Sequence, residues 1–248
     1  MTEEKKSKRQ ERREKIKQQE QRSRLITMGL LVVGAALVVL AFIYPTLNPP
    51  TIITPEPRTA ALPNPDGLSL GDANAPAVID VFEDFQCPAC QYFSESVEPQ
   101  IIQYLVETGK ARLVFHNYPF IDGDGASNGG ESDQAANASM CANEQDKFWD
   151  MQAIIYKNWN GENKGNLSDA KLKAMAKTIG LDTNAFDSCF DDNKYKKEIQ
   201  ADFELGQTMG VSGTPSVFVN GQKVGEAGKI ATFQEIAVAV DLIVNTPK

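Results

Sequence analysis

Residues 77–93 read AVIDVFEDFQCPACQYF. Ala77 to Phe85 is dense in β-branched and aromatic residues, which predicts a strand. A helix is expected directly after it. Tyr92, Phe93, Val97, Ile101, Tyr104 and Leu105 recur at helical spacing until Gly109, a fitting C-cap, with Pro99 set to kink the run. Ala111 to Tyr118 (ARLVFHNY) predicts the next strand. Strand, helix and strand in this order make a right-handed βαβ unit.

Cys87 and Cys90 sit at the strand–helix junction. A thiol at a helix start meets free backbone N–H groups and the positive end of the helix dipole, which stabilise its thiolate. Pro88 suits the first helical turn, where its missing N–H is not needed. Cys90, three residues on, lies on the same face, is expected to be more buried, and is placed to resolve a bond made at Cys87. A zinc site would want a second closely spaced pair, but Cys141 and Cys189 are far apart in the chain. A cysteine protease would need a placed histidine, and His116 is the one histidine present. His116 reads as a strand residue with no evident partner. The pair therefore reads as a redox-active dithiol.

Toward the C-terminus, DGDGASNGG (residues 122–130) reads as a flexible loop. It lacks the full calcium pattern, because Ala126 stands where an oxygen ligand is needed and Asp133 where the pattern wants Glu. Residues 131–209 look wholly helical, with helices expected at Glu131–Asn143, Lys147–Trp159, Ser168–Gly180 (N-capped by Ser168) and Asn184–Met209, the last broken. Phe148, Trp149 and Met151 read as the core of this block rather than a cofactor site. Gly213-Thr214-Pro215 stands directly before a strand at Ser216–Asn220. With CxxC upstream, a cis-proline facing the cysteines is the better reading of Pro215. The Asn220-Gly221 turn and Gln222–Gly225 complete a hairpin, and Ile230–Val244 closes the chain as an amphipathic helix. The order is βαβ, helical block, ββα: an α/β sheet domain interrupted by a helical insertion at about 131–209.

Toward the N-terminus, Leu25 to Tyr44 (LITMGLLVVGAALVVLAFIY) carries no charge. As a helix it would span roughly 30 Å, the thickness of a bilayer core. Residues 1–24 hold ten Lys/Arg against five Asp/Glu. The net charge is -8 over 248 residues, so the remainder carries -13. The positive-inside rule then places residues 1–24 in the cytoplasm as a basic tail and the acidic body outside, behind an uncleaved anchor at 25–44. An acidic body argues against nucleic acid. Seven of the thirteen prolines fall at 45–65, which predicts an extended spacer, with the folded domain at 66–248.

These residues resemble the DsbA-like branch of the thioredoxin superfamily. DFQCPAC (84–90), CANEQ (141–145) with KFW (147–149), and VSGTP (211–215) with VNG (219–221) carry the resemblance over about 66–245. It implies a thioredoxin-like fold with the helical domain inserted between its βαβ and ββα halves, and a thiol–disulfide oxidoreductase without cofactor or metal. Cys87 would form the mixed disulfide and Cys90 resolve it, while Pro88, Ala89, Thr214 and Pro215 flank the site and meet substrate. Many members have His or Tyr where Ala89 stands, and an acid six positions before the first cysteine, where this chain has Val81. Glu83 or Asp84 is a candidate for the missing proton relay, although alternation could point either to solvent.

Outside the cytoplasm spare thiols usually pair. Cys141 and Cys189 are therefore expected to form a structural disulfide, the rival being a second redox pair relaying electrons from Cys90. The resemblance implies exported cysteine-containing proteins as substrates, and a quinone-linked membrane partner of the DsbB or vitamin K epoxide reductase kind for reoxidation. A reductase or isomerase, or a non-catalytic tethered binding module, are the other readings.

Overall fold

The computed structural model describes residues 8–47, 50–58, 61–122, 129–226 and 228–246. The chain divides into two compact units, Met1–Pro49 and Pro50–Lys248. The described part of the first is one helix, α1 (Lys8–Leu47). Its segment Lys15–Leu40 is long and apolar enough to cross a membrane, and none of its hydropathy window is buried within the protein. The helix starts well before the apolar run because Lys, Arg, Glu and Gln, which crowd that end, lose little side-chain freedom in a helix.

The second unit is built on a five-stranded sheet of β1 (Ser69–Leu70), β2 (Ala77–Glu83), β3 (Ala111–Asn117), β4 (Ser216–Val219) and β5 (Gln222–Val224). The spatial order is β1-β3-β2-β4-β5. β2 and β3 are parallel, with Ile79 beside Leu113 and Glu83 beside Asn117, and the other pairings are antiparallel. β1 was not anticipated, since two residues are too few to show a period. Asn220 and Gly221 adopt φ of 46° and 77°, the two positive values that a type I′ hairpin turn requires.

The β2–β3 crossover is α2 (Pro88–Ser96), α3 (Glu98–Ile101) and a wide turn at Ile102–Val106, rather than one kinked helix. Val97 ends α2 and starts α3, which places Pro99 in the first turn of a new helix, where no amide hydrogen is needed. Gly109 closes the crossover at φ 72°. Between β3 and β4 run α4 (Glu131–Asn143), α5 (Phe148–Asn158), α6 (Asp169–Thr178), α7 (Thr183–Asp191) and α8 (Lys196–Thr208), and α9 (Phe233–Val244) completes the fold. Ser168 is the N-cap of α6, but its hydroxyl donates to the Gly165 carbonyl instead of capping. α9 carries the full capping box, Thr232 with Glu235, which the sequence reading did not identify.

One sheet face, with Ile79, Val81, Leu113, Phe115 and Val217, packs into the main core with Phe93, Ile101, Ile236 and the inserted helices, including Phe148, Trp149 and Met151. The other face buries Phe82, Phe218, Tyr118 and Val211, with Phe203 of α8 packed against them. α8 lies close because Gly206 leaves room: a Cβ there would come within 2.6 Å of the Tyr118 ring.

Within the extended spacer expected over 45–65, residues 50–58 run without helix or strand and lie against the folded unit. Ile52 packs on the core. The Ile53 amide donates to Asn158 Oδ1 at 2.8 Å, and Asn158 Nδ2 donates back to the Ile53 carbonyl at 2.8 Å. Arg58 pairs with Asp150 and donates to the Trp149 carbonyl. An extended chain keeps its backbone groups free, so a polar helix edge can pair with them. Of the loop after β3, residues 123–128, which carry most of the weighed calcium pattern, lie outside the described residues. Asp122 itself accepts from the amides of Glu131 and Ser132 at the start of α4.

His116 on β3 does have partners. Its Nε2 lies 3.0 Å from Asp80 Oδ1 and its Nδ1 lies 3.1 Å from Asp202 Oδ1, and the ring stacks on Phe82. Burial pulls its pKa down, but the bonds to Asp202 and Asp80 outweigh that and raise it to about 9. A raised histidine contributes stability that is complete below its unfolded pKa, about 6.5, and is lost as pH rises through the folded value. Urea midpoints are expected to fall from about pH 6.5 to about pH 9, and this component is expected to vanish in His116→Gln. The same pH slope in both chains would remove the role assigned to His116.

Candidate active site

The dithiol is placed by a buried loop between β2 and α2. Asp84 anchors that loop: its Oδ1 accepts from the Gln86 amide at 2.8 Å and the Ser132 hydroxyl at 2.7 Å, and its Oδ2 from the Phe120 and Ile121 amides, each at 2.9 Å. Trp159 Nε1 donates to the Gln86 carbonyl at 2.7 Å, which ties α5's end to the same loop. Cys87 is then the N-cap of α2 with Pro88 in the first turn. Cys87 is 7% exposed and Cys90 is 0% exposed, and both are free thiols.

The two sulfurs differ in charge preference. Cys87 is lowered to about 6, first by the hydrogen bond from Cys90, against the penalty of burial, with Thr214 and the amides of Cys90 and Ala89 adding to the effect. Cys90 is raised well above an ordinary thiol by burial, by its bond to Cys87 and by the charge of Glu83. The arrangement therefore holds a thiolate at the surface-facing sulfur and a proton on the inner one. The Cys87 thiol, when protonated, can donate to the Thr214 carbonyl at 3.3 Å.

The Thr214–Pro215 peptide is cis. Ala89, Thr214 and Pro215 together line a cavity of about 180 Å³ with Ile230 and Lys229 beside the dithiol. Pro88 lies in the same helix start. The site residues expected from sequence are thus brought to one place, except Cys141 and Cys189. Those two form a disulfide joining α4 to α7, within the helical layer, across a sequence separation of 48. Among the described residues no group of three His, Cys, Asp or Glu side chains is arranged to hold a metal ion.

Val81, at the position where the resemblance led to the expectation of an acid, is buried on the core face. Two residues along the same face of β2 comes Glu83, 1% exposed. Its Oε2 accepts from the Tyr156 hydroxyl at 2.5 Å, and its Oε1 has no hydrogen-bond partner among the described residues. Burial raises its pKa well above the carboxylate range, and the charge of Glu98 pushes the same way, against the Tyr156 bond. Asp84 is also raised by burial, but its four hydrogen bonds commit it to the loop. Of the two acids weighed for the relay, Glu83 is the one whose charge bears on Cys90. Glu98 and Tyr156 were not singled out from sequence. A Glu at an inward position of a strand was a visible signal for Glu83; Glu98 gave none.

Residues 63–237 match the family model described as Thioredoxin. A probable disulfide bond formation protein D of Bacillus cereus is 32% identical over 157 residues, covering 62% of this chain and 69% of the relative. The crystal structure of oxidised BdbD from Bacillus subtilis superposes with a TM-score of 0.64 at 22% identity, covering 76% of this chain and all of that one. Wolbachia pipientis alpha-DsbA1 superposes with a TM-score of 0.59 at 25% identity, covering 73% of this chain and 92% of that one. A dithiol at a helix start, a cis-proline beside it, the inserted helices and these likenesses lead to one assignment: the chain belongs to the thioredoxin family, in its DsbA-like branch, and is a thiol–disulfide oxidoreductase.

Proposed function

We propose that the chain is a membrane-anchored oxidase that gives its Cys87–Cys90 disulfide to cysteine-containing exported proteins. The placement of the two sulfurs supports this: Cys87 starts α2 within 3.3 Å of the Thr214 carbonyl and Cys90 is fully buried behind it, an arrangement that lowers Cys87 to about 6 and raises Cys90. A substrate thiolate attacks Cys87, Cys90 leaves and takes a proton, and a second substrate thiolate attacks the mixed disulfide to release Cys87 as thiolate. Cys87 is the better final leaving group because its anion is stabilised where it stands. Stabilising the reduced form makes the disulfide more oxidising. At about pH 7 the depressed thiol contributes at most about 1.4 kcal/mol, or roughly 30 mV, less whatever solvent screening removes. Pro88, Ala89, Thr214 and Pro215 are the flank that meets the substrate.

Residues 1–24 would lie in the cytoplasm, 25–44 in the cell membrane and the folded domain outside, on the charge asymmetry about the apolar helix. Each turnover leaves a dithiol, so a membrane partner must remove two electrons. A quinone-linked protein of the DsbB or vitamin K epoxide reductase kind fits that need. The relatives named for disulfide bond formation favour this direction over reduction or isomerisation. The equilibrium of Cys87–Cys90 with glutathione is expected to give a potential well above that of thioredoxin, about -270 mV. A potential at or below that value would sink the oxidase direction and leave a reductase.

A further inference from the structure

Cys90 lies fully buried, yet each turn of the proposed cycle must bring a proton to it or take one away. Glu83 stands next to it but is equally buried. The proton therefore needs a way on from Glu83. α5 presents two polar side chains one turn apart on one face. Tyr156 bonds Glu83, and Gln152 Nε2 donates to Glu98 Oε2 at 2.8 Å. The two carboxylates thus occupy successive rungs along α5. Glu98 is 7% exposed and lines a cavity of about 470 Å³ together with Gln152, Ser94 and Arg58, while Glu83 does not line it. Arg58 is held over this cavity by Asp150 and the Trp149 carbonyl, on the strap at 50–58.

We infer that Glu98 is the outer station of a proton path that serves Cys90 through Glu83, and that Arg58 of the strap at 50–58 sets its charge. This rests on the oxidoreductase reading of Cys87 and Cys90. When substrate reduces the disulfide, the substrate gains one S–S bond and Cys87–Cys90 loses one. Cys90, leaving as thiolate, takes a proton from Glu83; Glu83 is reprotonated by Glu98, and Glu98 by water in the cavity. Reoxidation by the partner runs the same transfers in reverse.

The charge environment of Glu98 agrees. Burial raises it to about 7, with the Gln152 bond and the Arg58 charge opposing. A group titrating there can both give and take a proton under neutral conditions. Glu107 is the other charged group lining the cavity. On the elements packed against α3, Asp241 of α9 is engaged by Lys110, Glu235 by its own capping box, and Glu95 of α2 is exposed.

The test is the rate at which dithiothreitol reduces the oxidised full chain in detergent, from about pH 5 to 9. Rates are normalised to the reductant's thiolate and followed by tryptophan fluorescence. The wild-type rate is expected to fall roughly tenfold or more through about pH 7, as the acid relay loses its proton. Glu98→Gln, which keeps an acceptor for Gln152, is expected to remove this fall while leaving the Cys87 thiolate titration in place. Arg58→Gln, a surface change that leaves the dithiol untouched, is expected to move the fall to higher pH. Glu83→Gln is expected to lower the rate below wild type at acid pH. A wild-type profile in Glu98→Gln, or an unmoved fall in Arg58→Gln, overturns the path while leaving the oxidoreductase reading standing. A wild-type chain without exchange would remove that reading itself.

Discussion

Cys87→Ser is expected to abolish thiol–disulfide exchange, by roughly two orders of magnitude or more, because a hydroxyl at neutral pH offers no thiolate to attack or be attacked. Cys90→Ser is expected to behave differently. It keeps Cys87 and a donor beside it, so the chain can attack a substrate disulfide once, but nothing then resolves the bond. Covalent complexes with substrate proteins should accumulate in Cys90→Ser and be absent in Cys87→Ser, read on non-reducing gels. Trapping through Cys90 instead would reverse the two roles.

The same pair gives a sharper reading with Cys90→Ala. The largest cause of the low Cys87 pKa is the bond from Cys90, ahead of Thr214 and the amides at the start of α2. Removing the donor should move the Cys87 titration from about 6 part of the way toward the ordinary thiol value, about 8.5. Alkylation rate is a poor gauge of this. A shift of about two units lowers the thiolate fraction at neutral pH roughly tenfold or more, but the more basic thiolate regains most of that through its greater nucleophilicity. Thiolate absorbance against pH measures the fraction directly. An unmoved midpoint would assign the depression to the helix start and Thr214 alone.

The parts of this site legible in the sequence are the local ones. Asp84 to Cys90 and Gly213 to Pro215 are short runs whose chemistry depends on their neighbours in the chain. The helix Glu131–Asn143 and the Asn220-Gly221 hairpin were legible for the same reason, since period and turn chemistry are written within a few residues. What escaped depends on distant partners. His116 looked solitary because Asp80 and Asp202 lie 36 and 86 residues away. Glu98 beside Pro99 reads as an ordinary helix start until α5 brings Gln152 to it from 54 residues on. The polar, proline-rich stretch at 50–58 looked like a spacer because its partners, Asn158 and Asp150, belong to an inserted helix whose facing edge no local pattern predicts. Glu83, the acid proposed for the relay, shows both limits at once. Strand alternation places Val81 and Glu83 on one face, yet only the packing of α2 and α5 over it tells that this face is closed to water.

Replacing Cys141 and Cys189 together by alanine is expected to lower stability by about 4 kcal/mol, the loop-closure value for a bridge spanning some 48 residues. With a urea slope of about 2 kcal/mol/M, the midpoint should fall by roughly 2 M. The effect lies mainly in the unfolded chain, because the native contacts between α4 and α7 do not depend on the bridge. Asn137 Nδ2 still donates to the Phe190 carbonyl at 2.9 Å, and Phe186 still stacks on Phe190. Exchange through Cys87 and Cys90 below the transition is therefore expected to stay within about twofold of wild type. A relay would behave in the opposite way. It needs a reachable sulfur and a stabilised thiolate, whereas Cys141 is 1% exposed and Cys189 6% exposed, both within the apolar core. If the double variant kept its urea midpoint but lost turnover with a reoxidising partner, the bridge would be part of the electron path rather than a clamp on the insertion.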